Sequence, residues 1–288
     1  FRKLIQSTLL ILGVLILVFF MVRLTGDPVA LMVSREATNA QREAMRVALG
    51  FDRPLPVQFA DYLGGVLGGD LGQSLRLGLP NAMLISQRLP ATFELALASL
   101  AVALVVAVPL GVLAGMHPRS PLDSVGRGLS MILILIFAVQ LRWLPSFGRD
   151  GWQSLILPTI ALSLGSIGQL VRLTRSTVLE IRRENFVRTA HAKGLSGQRV
   201  AYSHIAPNVA IPLISVIGVG FTYSLGGSVY IESVFAWPGL GSLLSNAIRD
   251  SDFPLVQSIT IFIALFAIII NLLTDLLYGI FDPRIRQR

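Results

Sequence analysis

Between two long apolar stretches of the chain, residues Asn185 to Gly194 read Asn-Phe-Val-Arg-Thr-Ala-His-Ala-Lys-Gly. The pattern predicts a short helix ended by a glycine, since Gly194 can supply the left-handed turn that stops it. Bulky Phe186 beside small Ala190 and Ala192 makes a surface suited to docking into a groove of another protein. Residue types that make or break bonds are placed less suggestively. His117, His191 and His204 lack metal-ligand spacing. Glu232 with Asp250 and Asp252 could suggest an acid pair for hydrolysis, but no nucleophile or oxyanion arrangement accompanies them. Contacts on the outer surface are the expectation for these three acids. Gly218-x-Gly220 lies inside an apolar run without a following strand and helix, which argues against a dinucleotide fold. There is no G-x-x-x-x-G-K-[ST] phosphate loop. The absence of cysteine excludes disulfides, thiolate metal sites and cysteine nucleophiles. What remains is recognition and passage, not catalysis.

The elements that must carry these residues are membrane helices. Of 288 residues, 53% are hydrophobic and 14% charged, against about 25% charged in ordinary soluble domains. The missing charge is concentrated in long uncharged runs. A helix needs roughly 20 residues to cross the hydrocarbon, and open strands cannot satisfy their backbone there. Six spans are expected: Leu4–Leu24, Ala91–Met116, Val125–Leu141, Leu155–Val178, Ala210–Tyr230 and Leu255–Ile280. The first is too long for a signal-peptide core and is read as a retained span. Because the chain opens at Phe1, a few residues before it are expected to be missing.

The net charge of +8 could suggest nucleic acid, but the basic residues cluster in short loops beside apolar spans. They report orientation instead. With the N-terminus inside, fourteen Lys and Arg fall on the inner side and ten on the outer, seven of those ten within Arg23–Arg88. Long segments obey the rule weakly, so both termini are expected in the cytoplasm.

Three domains follow: residues 1–24 as the first span, 25–90 as an extracytoplasmic insertion, and 91–288 as the transmembrane core, with a large inner loop at about 179–208. Within the insertion, Thr38 and Gln41 form a capping box opening a helix that stops at Gly50. Pro54 and Pro56 precede a second amphipathic stretch around Val57–Leu67, and Gly68, Gly69, Gly72 and Gly78 mark turns. Val125–Leu141 is short for a crossing; either it tilts in a thinned region or residues are missing near Met131/Ile132, the reading favoured. Polar positions in the fourth and fifth spans could line a passage, notably Ser166, Gln169, Ser215, Thr222, Ser224 and Ser228. The competing account is close helix packing through small residues. Asp275 is a functional candidate by its cost in a span, or it snorkels or pairs with Arg284. Glu94, near an outer mouth, is expected to make a structural hydrogen bond.

The run Arg188–Ser196, followed by Pro207 thirteen residues after Gly194, resembles the "EAA" loop of ATP-binding-cassette importer permeases. Arg188 and Thr189 depart from the Glu-Ala of that motif, and His204 and Ala206 from its Ile and Leu, as in the dipeptide/oligopeptide/nickel branch. Further blocks resemble that branch in order: Gly26–Val29, Gly50–Phe59, Gly69–Leu75, Arg88–Ala96, Trp143–Gly148, Glu232–Gly241 and Asp282–Arg286. The resemblance implies an all-α type I importer permease of about six transmembrane helices in a bacterial cytoplasmic (inner) membrane. It implies a subunit that is not itself an enzyme and binds no cofactor, ATP and Mg being used by two cytoplasmic ATP-binding subunits. A second homologous permease and an extracytoplasmic solute-binding protein are the other implied partners, with no nucleic acid. Coupling to the ATPase would fall to Glu184, Phe186, Arg188, Thr189, Ala190, Ala192, Lys193, Gly194 and Leu195. The transported solute would be a peptide or a related small molecule such as a nickel chelate or glutathione. A secondary transporter driven by an ion gradient is the alternative; it would predict inverted repeats and paired midplane charges, and neither is evident.

Overall fold

The computed structural model describes residues 2–24, 29, 38–48, 50–116, 145 and 147–281. Among them the regular structure is helical: α1 (Arg2–Leu24), α2 (Asn39–Ala48), α3 (Leu55–Leu67), α4 (Asn81–Met116), α5 (Gln153–Ile181), α6 (Asn185–Ala192), α7 (Gly197–Val200), a π-helical turn (Ala201–Ile205), α8 (Ala206–Val234), α9 (Leu240–Arg249) and α10 (Phe253–Phe281). Five of the six expected spans coincide with helices; Val125–Leu141, with its questioned Met131/Ile132 junction, lies outside the described residues. By length and apolarity Asn81–Met116, Gln153–Ile181 and Phe253–Thr274 can each cross a bilayer. Gly197–Val234 is a fourth candidate, bent by 41° near Ser215, three residues beyond Pro212, whose missing N–H leaves one helical rung unbonded. Thr8–Phe20 is the apolar stretch within α1. Helix α4 starts ten residues before the expected span, at Asn81, and runs through Pro90.

The chain divides into two compact units, residues 1–90 with 239–268, and residues 91–238 with 269–288. In the first, the capping box is reciprocal: Gln41 N–H donates to Thr38 Oγ1 at 3.3 Å and Thr38 N–H to Gln41 Oε1 at 2.9 Å. Phe19 of α1 meets Phe59 and Tyr62 of α3 with ring centroids 5.1 and 5.7 Å apart. The loop after α3 turns at Gly69, Gly72 and Gly78, all at positive φ, and folds onto the start of α10. There the Asp252 carboxylate accepts from Ser74 Oγ, from Leu75 N–H at 3.2 Å and from Leu255 N–H at 3.4 Å. Asp252 is therefore buried, and only Asp250, 3.2 Å from Arg76, remains near the surface. The acids expected on the outer face are structural ties.

The second unit is built on close backbone approach. On α4, Ala103, Ala107, Gly111 and Gly115 recur every four residues along one face, and both alanines are fully buried. A Cβ on Gly111 would lie 2.5 Å from Thr174 Cβ, and one on Gly115 would lie 2.7 Å from Val178 Cβ. Helices without a hydrophobic effect between them associate by such contact. Arg182 follows α5 and donates to the terminal carbonyls of α4, Gly115 O at 3.0 Å and Met116 O at 2.9 Å, where cations are favoured. Gly218 of α8 likewise leaves room for Thr274 of α10. At the other end, Thr92 donates to fully buried Glu232 at 2.8 Å, and Trp237 Nε1 to Ala91 O at 2.8 Å. Glu94 makes its expected bond, to Arg149 at 3.0 Å.

Gly111→Ala is expected to lower the stability of the purified protein by about 1–3 kcal/mol through overpacking, read as a fall in Tm. Adding Thr174→Gly should recover part of the loss.

Candidate coupling surface and passage

Glu184 opens α6 in an extended conformation, φ −67° and ψ 147°, and its carbonyl accepts from Val187 N–H at 3.1 Å. Eight residues on, the helix closes through a paired C-terminal motif. Gly194 N–H donates to His191 O at 2.9 Å, and Leu195 N–H to Ala190 O at 3.3 Å. This arrangement needs a left-handed residue between the helix and the returning chain, and Gly194 has φ +77°. A Cβ there would meet nothing within 4 Å. The requirement for glycine is one of backbone conformation, not of space.

Burial divides α6 into two faces. Val187 and Ala190, one turn apart, sink into an apolar cluster with Leu170, Val178, Val200, Ile205 and Val209, and Leu195 packs against it. Opposite them Phe186 is 40% exposed, joined at the surface by Glu184, Arg188, Thr189, Ala192, Lys193 and Gly194. Two residues expected on the docking surface are thus turned inward: Ala190 is buried and Leu195 half-buried, because Ala190 follows Val187 by three positions on the same helical face. Val187, the deepest anchor, was legible only by that spacing. Beyond the turn, Ser196 Oγ caps α7 by accepting from Arg199 N–H at 3.4 Å. The π-helical turn then leads into α8 without a break.

The passage candidates separate by exposure. Gln169 is exposed and Ser166 and Thr222 half-exposed; Thr222 Oγ1 donates to Gly218 O at 3.3 Å. Ser224 and Ser228 are buried, Ser228 Oγ donating to Leu225 O at 2.8 Å, so within this chain they pack helices. The side chains of Ser215 and Asp275, together with His117 and Arg284, lie outside the described residues.

Long apolar helices, close-packed through small residues and followed by a capped, two-faced helix, define a multi-pass α-helical membrane protein with a docking element. The comparison with known proteins makes the class specific. A family described as the binding-protein-dependent transport system inner membrane component matches residues 107–287, and its N-terminal counterpart matches residues 1–96. A probable peptide ABC transporter permease protein of Sinorhizobium fredii is 37% identical, the match covering 99% of this chain and 98% of the relative. A glutathione transport system permease protein of Pectobacterium atrosepticum is 37% identical over 98% of this chain and 95% of its own length. An oligopeptide transport system permease protein of Bacillus subtilis is 34% identical over 99% and 98%. The chain belongs to the family of binding-protein-dependent transport system inner membrane components. It is a multi-pass permease subunit of an ABC importer, and nothing in the fold or the family favours the secondary transporter.

Holding a residue with a Cβ at φ near +77° costs about 1–2 kcal/mol. Gly194→Val is expected to lower the Tm measurably, whereas Gly194→Asn, which tolerates the left-handed region, should lower it less.

Proposed function

We propose that this chain forms one half of a solute pathway, completed by a second homologous permease and driven by two separate cytoplasmic subunits that use ATP and Mg. An extracytoplasmic binding protein would deliver the solute. In this reading the exposed face of α6, with Phe186 at its centre, seats in a groove of one ATPase subunit. Closure of the ATPase pair would then shift α6 and tip the bundle between inward-facing and outward-facing states. Such a transition requires contacts that differ between the two states. The observation that carries the reading is the pairing of faces on α6: one apolar and sunk into the bundle at Val187 and Ala190, the other exposed.

In this reading both termini lie in the cytoplasm; the excess of Lys and Arg on the same side as α6 supports it. The solute is a peptide or a related small molecule. Relatives named for peptide, oligopeptide and glutathione transport support that class; a nickel chelate stays within it by resemblance alone. The Sinorhizobium match runs over 306 positions, more than the 288 residues here. Gaps therefore open in this chain against that relative, as the reading of missing residues near Met131/Ile132 requires.

The test is ATP hydrolysis by the assembled transporter in liposomes, stimulated by loaded binding protein. Gly194→Pro, which cannot adopt the positive φ, should reduce the stimulation by about tenfold or more, with Gly194→Asn retaining most of it. Unchanged stimulation in Gly194→Pro would contradict the assignment.

A further inference from the structure

The buried state of Ser224 and Ser228 leaves open which residues of α8 a solute would meet. From Val219 onward the exposed positions of α8 are Val219, Tyr223, Gly226, Tyr230 and Ser233, spaced by three and four residues along one stripe, with Val234 beside its outer end. Tyr230 lies four residues from the end of α8, a level at which tyrosine is ordinary in membrane proteins. Tyr223 does not. It lies eleven residues from that end, about 16 Å at 1.5 Å per residue, well inside a hydrocarbon core about 30 Å thick. Its side chain is 76% exposed. A phenol hydroxyl facing hydrocarbon at that depth would have nothing to bond.

The same unit contains a contrasting face. On α4, every exposed residue from Leu97 to Leu113 is Leu, Ala, Val or Pro, as a lipid-facing surface requires. Val105, eleven residues from its own helix end, is 74% exposed, matching Tyr223 in exposure and depth. The exposed stripe of α5 is again polar: Gly165, Gln169, Arg172 and Ser176. Helices α5 and α8 run antiparallel, with a Cβ on Gly227 lying 3.6 Å from Leu162 Cδ1. That register puts Ser166 level with Tyr223 and Gln169 about one turn further in.

We infer that Tyr223 lines the aqueous passage at mid-depth, its hydroxyl offered to water and to the hydrogen-bonding groups of the transported solute. This inference rests on the importer reading for its solute, and on desolvation alone for its place on the wall. It moves the α8 contribution from Ser224 and Ser228 to the stripe on which Tyr223 stands.

The chain has no cysteine, so a single introduced thiol reports its own surroundings. Tyr223→Cys, Tyr230→Cys and Val105→Cys are made in the assembled transporter in lipid nanodiscs, with a charged, membrane-impermeant thiol reagent on both sides. Attack requires the thiolate, which does not form in hydrocarbon. Tyr223→Cys should be modified at least about tenfold faster than Val105→Cys, with Tyr230→Cys also fast. Equal, slow modification of positions 223 and 105 overturns the inference, whether lipid or dry packing against another subunit covers the stripe. Labelling needs no turnover. Failure of the unmodified complex to show ATP-driven uptake would therefore refute the importer reading alone.

Discussion

The burial of Val187 and Ala190 in the same apolar cluster as Leu170, Val178, Val200 and Val209 ties a surface helix to the membrane bundle. Without it α6 would be a loop segment free to move by itself. With it, a push on the exposed face meets close-packed side chains, and such interiors transmit displacement instead of absorbing it. The turn at Gly194 completes the tie, since its two backbone bonds return the chain so that Leu195 packs on the same cluster. A proposed lever and its anchor are made from one eight-residue helix. An insertion or deletion that turned one face would turn the other with it.

A second economy operates inside the hydrocarbon. Helices there gain little from hiding apolar surface, so contact must come from approach. The every-fourth-residue row from Ala103 to Gly115 lets α5 come close enough for Thr174 and Val178 to fill the gap. Arg182 then satisfies the carbonyls that end α4. Helix α4 thereby presents one face to a neighbour and an aliphatic face outward. Against that background, exposed Tyr223 of α8 stands out as chemically misplaced for lipid.

Much of this was legible in the sequence. Span positions followed from apolar length, the capping box from Thr38 and Gln41, and the end of α6 from a glycine in a helical pattern. Each of those signals is local, set by residues within a turn of one another. What escaped was set by distant partners or by phase. The carboxylates of Glu232 and Asp252 read as surface acids because their donors, Thr92 and Ser74, lie far away in the chain. Ala190 has the small size that suits a docking surface, but its place three residues after Val187 buries it within this chain. The polarity of Ser224 and Ser228 fits both a passage and close helix packing, and only burial within this chain tells them apart, since a serine in a span can satisfy itself on its own helix, as Ser228 does. The small-residue row of α4 was present in the sequence at a regular spacing and called for a count by fours.

The central claim is that the outward face of α6 is where force enters the permease. It is tested most directly by placing a photoreactive phenylalanine analogue at position 186, and in parallel at position 187, in the assembled complex. Irradiation at 186 should join this chain to an ATP-binding subunit, while the analogue at 187, aimed into the bundle, should yield only links within this chain. Capture of the ATPase from 187 but not from 186, or from neither, would contradict the account.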